Sequence, residues 1–376
     1  MEYLRRAASH SSSPILVLTS CRNFWGRPDL IQYEESYAFN PSILYLPYVP
    51  NNDATYLSVA RNPVDREAEV QSRNLIASLI YERRHERESR YNRSRYFPTY
   101  IMVVTGYAED KLESLVHSSD PFFPKCATGI YEQWPWYQNI QGPEDGRVVW
   151  TRLGEPLLIY NSISPEESDL CRCMYLVDLR SVYPTLEGFL TMTEENPPIR
   201  FPYSVPLIYP DLTGVPKNWA VFTNAIGEVF LHTDLIPQRI YKLNLSRREG
   251  LPWQESPASE LAIMEPLPHD PVADDQNCIA LALNQTDPDY PVEFHQSSPM
   301  LEVILCTSSQ VHSGLCDPSD PRNRVFILLF HLVHRRWDVH DLAYEPRIVT
   351  LNSTAPYNYI SISKPLVYCI SSGLCV

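Results

Sequence analysis

The sequence predicts an all-β fold built from several small antiparallel sheets, a β-propeller with a β-sandwich as the competing arrangement. Three observations carry that expectation. Strand-like runs arrive in clusters separated by long polar, proline-rich connections. There is no alternation of strand and helix of the kind a doubly wound sheet requires. Prolines number 34 against 12 glycines, so long helices are interrupted, because proline lacks an amide proton and clashes with the preceding turn. No exact sequence repeat accompanies the repeated clusters.

The first cluster spans residues 37–62, where SILYLPYV and TYLSVARN flank the turn NNDA and form a β-hairpin. From about 65 to 90 the pattern changes. Val70, Leu75, Ile76, Leu79 and Ile80 fall on one face at helical spacing, with Arg and Glu elsewhere. That predicts one inserted helix whose run RRHERESR is a solvated face. The β pattern then resumes with YIMVVTGY (100–107), RVVW (147–150), PLLIYNS (156–162) and MYLVDLR (174–180). It continues through WAVFTN (219–224), EVFLHTDL (228–235), RIYKLNL (239–245) and CIALALN (278–284). The last runs are MLEVILC (300–306), RVFILLFHLVH (324–334) and RIVTLN (347–352). Segments 182–216 and 248–276 are rich in Pro, Glu and Asp, lack periodicity, and are expected to be surface connections.

A chain of 376 residues with 44% hydrophobic content can bury one large core or two modest ones. The division expected is an N-terminal arm at 1–36 and a propeller domain at 37–376. The net charge of -14 argues against a nucleic-acid partner. The 24 tyrosines and 7 tryptophans can fill a core, and exposed ones can pack on the apolar face of a pyranose.

Cys306 and Cys316 bracket the polar loop TSSQVHSGL, a size a disulfide can close, while no Cys/His grouping has zinc spacing, so neither metal nor cofactor is expected. Sequons occur at Asn92, Asn244, Asn284 and Asn352, and with a disulfide they lean toward a secretory compartment. The apolar run PILVLT behind Arg5 and Arg6 is too short to span a bilayer. Either an anchor outside this chain provides membrane attachment, or the protein stays in the cytosol.

Three constellations could carry chemistry. Gly142-Pro143-Glu144-Asp145-Gly146-Arg147 enters a strand. Strand alternation puts the Asp145 carboxylate and the Arg147 guanidinium on one side and Glu144 on the other. The bland reading is a turn with a structural ion pair. Lys217-Asn218-Trp219 precedes another strand and offers a cation, an amide and a ring, suited to a phosphorylated or nucleotide-linked sugar or, equally, to a turn with a buried Trp. His232, His295, His331 and His334 lie in or beside strand runs, where a histidine reads first as a satisfied core residue. The spacing of His331 and His334 puts those two on opposite faces. Asp287-Pro288-Asp289 lacks the α/β surroundings of nucleotide-sugar Asp-x-Asp sites, and no P-loop, dinucleotide or nucleophile-elbow motif is present.

Read in order, Asn40-Pro41-Ser42-Ile43, Val59-Ala60-Arg61-Asn62, Gly142 to Arg147, Gly154-Glu155-Pro156-Leu157, Lys217-Asn218-Trp219, His295-Gln296-Ser297-Ser298-Pro299, Phe330-His331 and Tyr344-Glu345-Pro346-Arg347 resemble the fungal β-mannosyltransferases. More distantly they resemble the five-bladed β-mannoside phosphorylases and related mannosyltransferases. The resemblance spans nearly the whole chain and implies five blades with these motifs converging on a central tunnel. It implies Asp145 as catalytic acid or base and Arg147 as a group shaping its site. Arg61, Lys217, Asn218, His331 and Tyr344 would line the pocket for the mannosyl group and its phosphate or diphosphate. The implied activity is inverting transfer of β-linked mannose from GDP-mannose to a mannan-type glycan acceptor in the Golgi or secretory pathway, with a single carboxylate assisting direct displacement. The alternatives are a β-mannoside phosphorylase, or an inactive propeller that binds glycan or protein. The family's Glu-Asp-Pro-Arg is here Glu144-Asp145-Gly146-Arg147, which loosens the backbone that aims the carboxylate. Relatives continue past Val376 with further strands, which implies an incomplete last blade.

Overall fold

The computed structural model describes residues 30–32, 39–46, 54–61, 71–72, 75–81, 103–111, 140–141, 143–163, 172–190, 197–208, 217–247, 260–267, 292–336 and 341–366. They are overwhelmingly β. The first sheet contains β1 (Leu30–Gln32), β2 (Phe39–Tyr45) and β3 (Ala54–Arg61). A two-residue β4 (Gln71–Ser72) follows, then β5 (Leu75–Tyr81) and β6 (Val103–Lys111). The order across this sheet is β1-β6-β5-β3-β2, antiparallel except where β1 adds in parallel to β6. β4 pairs instead with β7 (Ile140–Gln141).

The second sheet is an antiparallel meander of β8 (Glu144–Trp150), β9 (Pro156–Ile163), β10 (Arg172–Asp178) and, after helices α1 (Leu179–Val182) and α2 (Pro184–Leu190), β11 (Val205–Ile208). The third is a meander of β12 (Ala220–Thr223), β13 (Val229–Leu235), β14 (Gln238–Arg247) and β15 (Glu260–Pro266). It joins the second through a short parallel pairing of β11 with β15. The fourth holds β16 (Val292–Gln296) and β17 (Leu301–Ile304), both paired to β18 (Arg324–Arg336), then β19 (Asp341–Asn352) and β20 (Tyr359–Ile362).

The sheets stack face on face, as the blades of a propeller do, and the sequence explains why. β10 reads Arg-Cys-Met-Tyr-Leu-Val-Asp, apolar on both faces. Tyr175 and Val177 join Leu44, Leu57 and Val59 of the first sheet, while Met174 and Leu176 join Val221, Val229 and Leu231 of the third. β13 does the same one layer on, with Phe230 packing among Phe326, Leu328, Phe330 and Tyr357 of the fourth sheet. A strand buried on both faces has no reason to alternate polar with apolar residues. Each fully buried Leu or Phe contributes about 2 kcal/mol relative to exposure, so these inter-sheet layers dominate the stability. The fold is the all-β propeller expected, with four blade-like sheets among the described residues.

Three expectations change. The segment read as an inserted helix contains a strand: Leu75–Tyr81 is β5 and pairs with both β3 and β6. Leu-Ile-Ala-Ser-Leu-Ile-Tyr satisfies helical spacing and a doubly buried strand equally, and pairing on two edges decides for the strand. Its charged continuation at 82–90 lies outside the described residues. The supposed surface connections contribute α2, β11 and β15. Leu30–Gln32, inside the expected arm, is an edge strand of the first sheet. The Cys306–Cys316 disulfide forms as expected, closing a loop with a sequence separation of 10 around α3 (Ser308–His312).

Candidate active site at the mouth of the inner strands

Edges of neighbouring sheets lie side by side and are tied directly. Ser42 Oγ of β2 accepts from the Val148 amide of β8 at 2.9 Å. Thr223 Oγ1 of β12 accepts from the Arg152 amide just past β8 at 2.9 Å. The Met300 amide donates to the Val221 carbonyl of β12 at 3.4 Å. At the starts of β8 and β12 this leaves the Asp145 and Lys217 motifs side by side.

Asp145 is the best defined of them. The register of β8 on β9 slips between Glu144, opposite Asn161, and Arg147, opposite Ile159, so β8 carries a bulge. Asp145 occupies it with φ 51 and is only 6% exposed. A left-handed backbone costs an L-residue about 1–2 kcal/mol, with Asp and Asn among the more tolerant, and such strain gathers at functional sites. The bulge also corrects the expected alternation. Asn161 and Ile159 share a face of β9, so Glu144 and Arg147 share the matching face of β8. Glu144 is buried there against Arg172, 3.2 Å from its Nη2, and Arg172 also bonds the Asn161 amide oxygen. Glu144 is therefore a structural carboxylate.

Lys217 comes from the adjoining sheet, its Nζ 4.0 Å from Asp145 Oδ2. Asn218 follows with φ 58, the second left-handed residue at this mouth. Trp219 is buried in the layer between the second and third sheets, so the stacking plane expected of Lys217-Asn218-Trp219 is core instead. The Gly154-Glu155 motif is structural too: Glu155 is buried, bonded to Thr151 and held by both forks of Arg200.

His331 of β18 stands opposite His295 of β16. Its Nδ1 lies 2.7 Å from Ser297 Oγ, and its ring meets that of Tyr344 edge-on at 5.6 Å. Tyr344 is half exposed and also lies against His295, with centroids 6.2 Å apart. His295 Nε2 is 3.6 Å from Glu293 Oε2. Burial, then the charges of His295 and Arg147, hold the His331 pKa below its ordinary value. Arg147 Nη1 donates to the Gly146 carbonyl at 3.2 Å.

Of the residues expected in the site, Asp145 lies beside Lys217, His331 packs on Tyr344, and Asn218 adjoins Lys217. Arg61 ends β3 opposite Phe39, and its side chain lies outside the described residues. Ser297 was not singled out although its motif was; the hydroxyl two residues beyond a strand histidine was the available signal. His232 is fully buried as a core histidine, its Nδ1 3.1 Å from Gln296 Oε1 and its Nε2 3.3 Å from the Tyr359 hydroxyl. Among the described residues no three His, Cys, Asp or Glu side chains group as a metal site, and no helix is long and apolar enough to cross a membrane.

No protein family matches the sequence, and the curated proteins contain no match. Among solved structures the chain is similar to an endo-arabinase from Bacteroides thetaiotaomicron VPI-5482, at 9% identity over 90% of this chain and 88% of that one, with a TM-score of 0.31. It is also similar to an endo-1,5-α-L-arabinanase from Thermotoga petrophila RKU-1, at 10% identity, 89% and 54% coverage and a TM-score of 0.30. A third is a family 43 glycoside hydrolase from Bacillus licheniformis, at 11% identity, 87% and 54% coverage and a TM-score of 0.29. The chain spans about half the length of the latter two. None of the three is named as a mannosyltransferase. What the mouth can do follows from its own residues.

Proposed function

We propose that this chain is a carbohydrate-active propeller that carries out an inverting displacement at an anomeric carbon, with Asp145 as its acid–base group. The observation that carries the reading is the Asp145–Lys217 pair: a nearly buried carboxylate, held in a left-handed bulge, beside a cation from the next sheet. Arg147 follows two residues after Asp145 in β8.

Glu144 is engaged with Arg172, and in this reading Asp145 acts as the single carboxylate. That favours a reaction in which the leaving group needs no proton, because a phosphate or nucleoside diphosphate departs as a stable anion. Asp145 then draws a proton from the acceptor hydroxyl as its oxygen attacks, while Lys217 and Arg147 balance charge on the departing oxygens. Hydrolysis by inversion ordinarily uses two carboxylates, one for the water and one for the leaving oxygen. Within this reading, and in line with the resemblance of its motifs, the donor is GDP-mannose and the acceptor a mannan-type glycan of the secretory pathway.

The test is incubation with GDP-mannose and mannan oligosaccharides, and in parallel with a β-mannoside and inorganic phosphate. Transfer that disappears in Asp145→Asn supports the transferase; phosphorolysis lost in the same variant makes the chain a phosphorylase. Glycan binding without turnover, indifferent to that substitution, overturns the enzymatic reading.

A further inference from the structure

We propose that Asn352 is an N-glycosylation site, an inference independent of the chemistry at the inner mouth. Asn352-Ser353-Thr354 ends β19, and residues 353–358 turn the chain into β20. Transfer to asparagine needs an amide that a large enzyme can reach, a hydroxyl two residues on, and a fold that tolerates a bulky polar group there. Asn352 and Thr354 are both exposed.

The loop that presents them is fixed from below. Tyr357 is buried among Phe222, Phe230 and Phe326 with φ 60, and its amide bonds the Thr354 carbonyl at 2.8 Å. The Asn352 amide donates to the Asn358 carbonyl at 3.0 Å, and Ser353 Oγ donates to the Pro321 carbonyl at 2.9 Å. The sequon thus uses its middle residue for anchorage and turns its two recognition residues outward.

A second observation comes from the same sheet. β17 runs into the exposed loop closed by Cys306–Cys316, and that loop leads to Pro321, on which Ser353 rests. A disulfide on an exposed loop belongs to an oxidising compartment, where asparagine-linked transfer takes place. Asn244 contrasts with Asn352: it lies within β14 opposite Ile263 of β15 and is only partly exposed.

The step consumes a polyprenyl-diphosphate-linked oligosaccharide. The Asn352 amide nitrogen forms a bond to the anomeric carbon, the bond from that carbon to the diphosphate oxygen breaks, and the amide proton passes to a base of the transferring enzyme.

The experiment isolates the protein from its own cells and treats it with peptide N-glycosidase in heavy-oxygen water, followed by peptide mass spectrometry. Conversion of residue 352 to labelled aspartate is the expected result. An Asn352 peptide recovered unmodified before enzyme treatment overturns the proposal. Thr354→Ser should keep the modification and Thr354→Ala should lose it, with the melting temperature of the conservative variant reporting that the fold is intact. A glycan that persists on residue 352 in Thr354→Ala also counts against the assignment.

Discussion

Lys217 Nζ reaches to within 4.0 Å of Asp145 Oδ2 across the seam between the second and third sheets, so two residues far apart in the chain share one small volume. At that separation and with Lys217 about a third exposed (34%), the pair adds little to stability, under about 1 kcal/mol. In the proposed reaction its value lies in what the cation does for a substrate oxygen.

Lys217→Met is accordingly expected to lower kcat/KM for the donor by roughly 10- to 100-fold, the worth of one charge-assisted hydrogen bond, while shifting the melting temperature only slightly. Steady-state kinetics beside a thermal melt checks this; unchanged kinetics would remove Lys217 from the site.

Asp145 offers a contrast of opposite sign. Its left-handed φ of 51 is a conformation glycine adopts without steric cost, so Asp145→Gly should hold or raise the melting temperature, by up to about 1 kcal/mol of stability, while turnover vanishes. Asp145→Val should destabilise by more than 1–2 kcal/mol, because a β-branched side chain resists that backbone. Calorimetry on the two variants decides it, and equal melting temperatures would show that the bulge is unstrained.

His331 is held below the ordinary histidine pKa by burial first and by the positive charges of His295 and Arg147 after it. Arg147→Gln removes one of those charges, so the titration of His331 should move up. Carbon-13 resonances of the imidazole ring followed from pH 8 to 4 report this, and a midpoint that stays put means Arg147 lies beyond electrostatic reach.

His232 gives the acid limb of stability. Burial pushes it down to about 4 from 6.5. The unfolded chain takes up a proton below its own pKa, while the folded one does not until about 4. Stability from this group is complete above about 6.5 and drains away as pH falls through that window, by roughly 3 kcal/mol in all. Urea unfolding at successive pH values should show this slope in the native chain and a shallower one in His232→Asn. Identical slopes would assign acid sensitivity to other groups.

Much of this architecture was legible because its strands are short, apolar and bounded by proline-rich turns: β9, β10, β13, β14 and β18 lie where their patterns place them. Leu75–Tyr81 was not, since an apolar strand and a helix face give similar runs, and only a partner strand on each edge separates them. At the site, the Asp145 motif could be read as a strand entrance, but its bulge could not. A two-residue alternation rule has no way to register a slipped residue, and it misplaced Glu144 relative to Arg147. Trp219 was ambiguous from composition, and the packing of the third sheet on the second made it core.

The face-to-face layering of the sheets has one more consequence. Hydrophobic contacts lie along the flanks of each blade, between sheets, whereas Asp145 and Lys217 sit at the entrances of β8 and β12. Polar residues at those tips can be exchanged without unsettling the layers beneath them. A frame of this kind can change or lose the chemistry at its strand entrances and still fold.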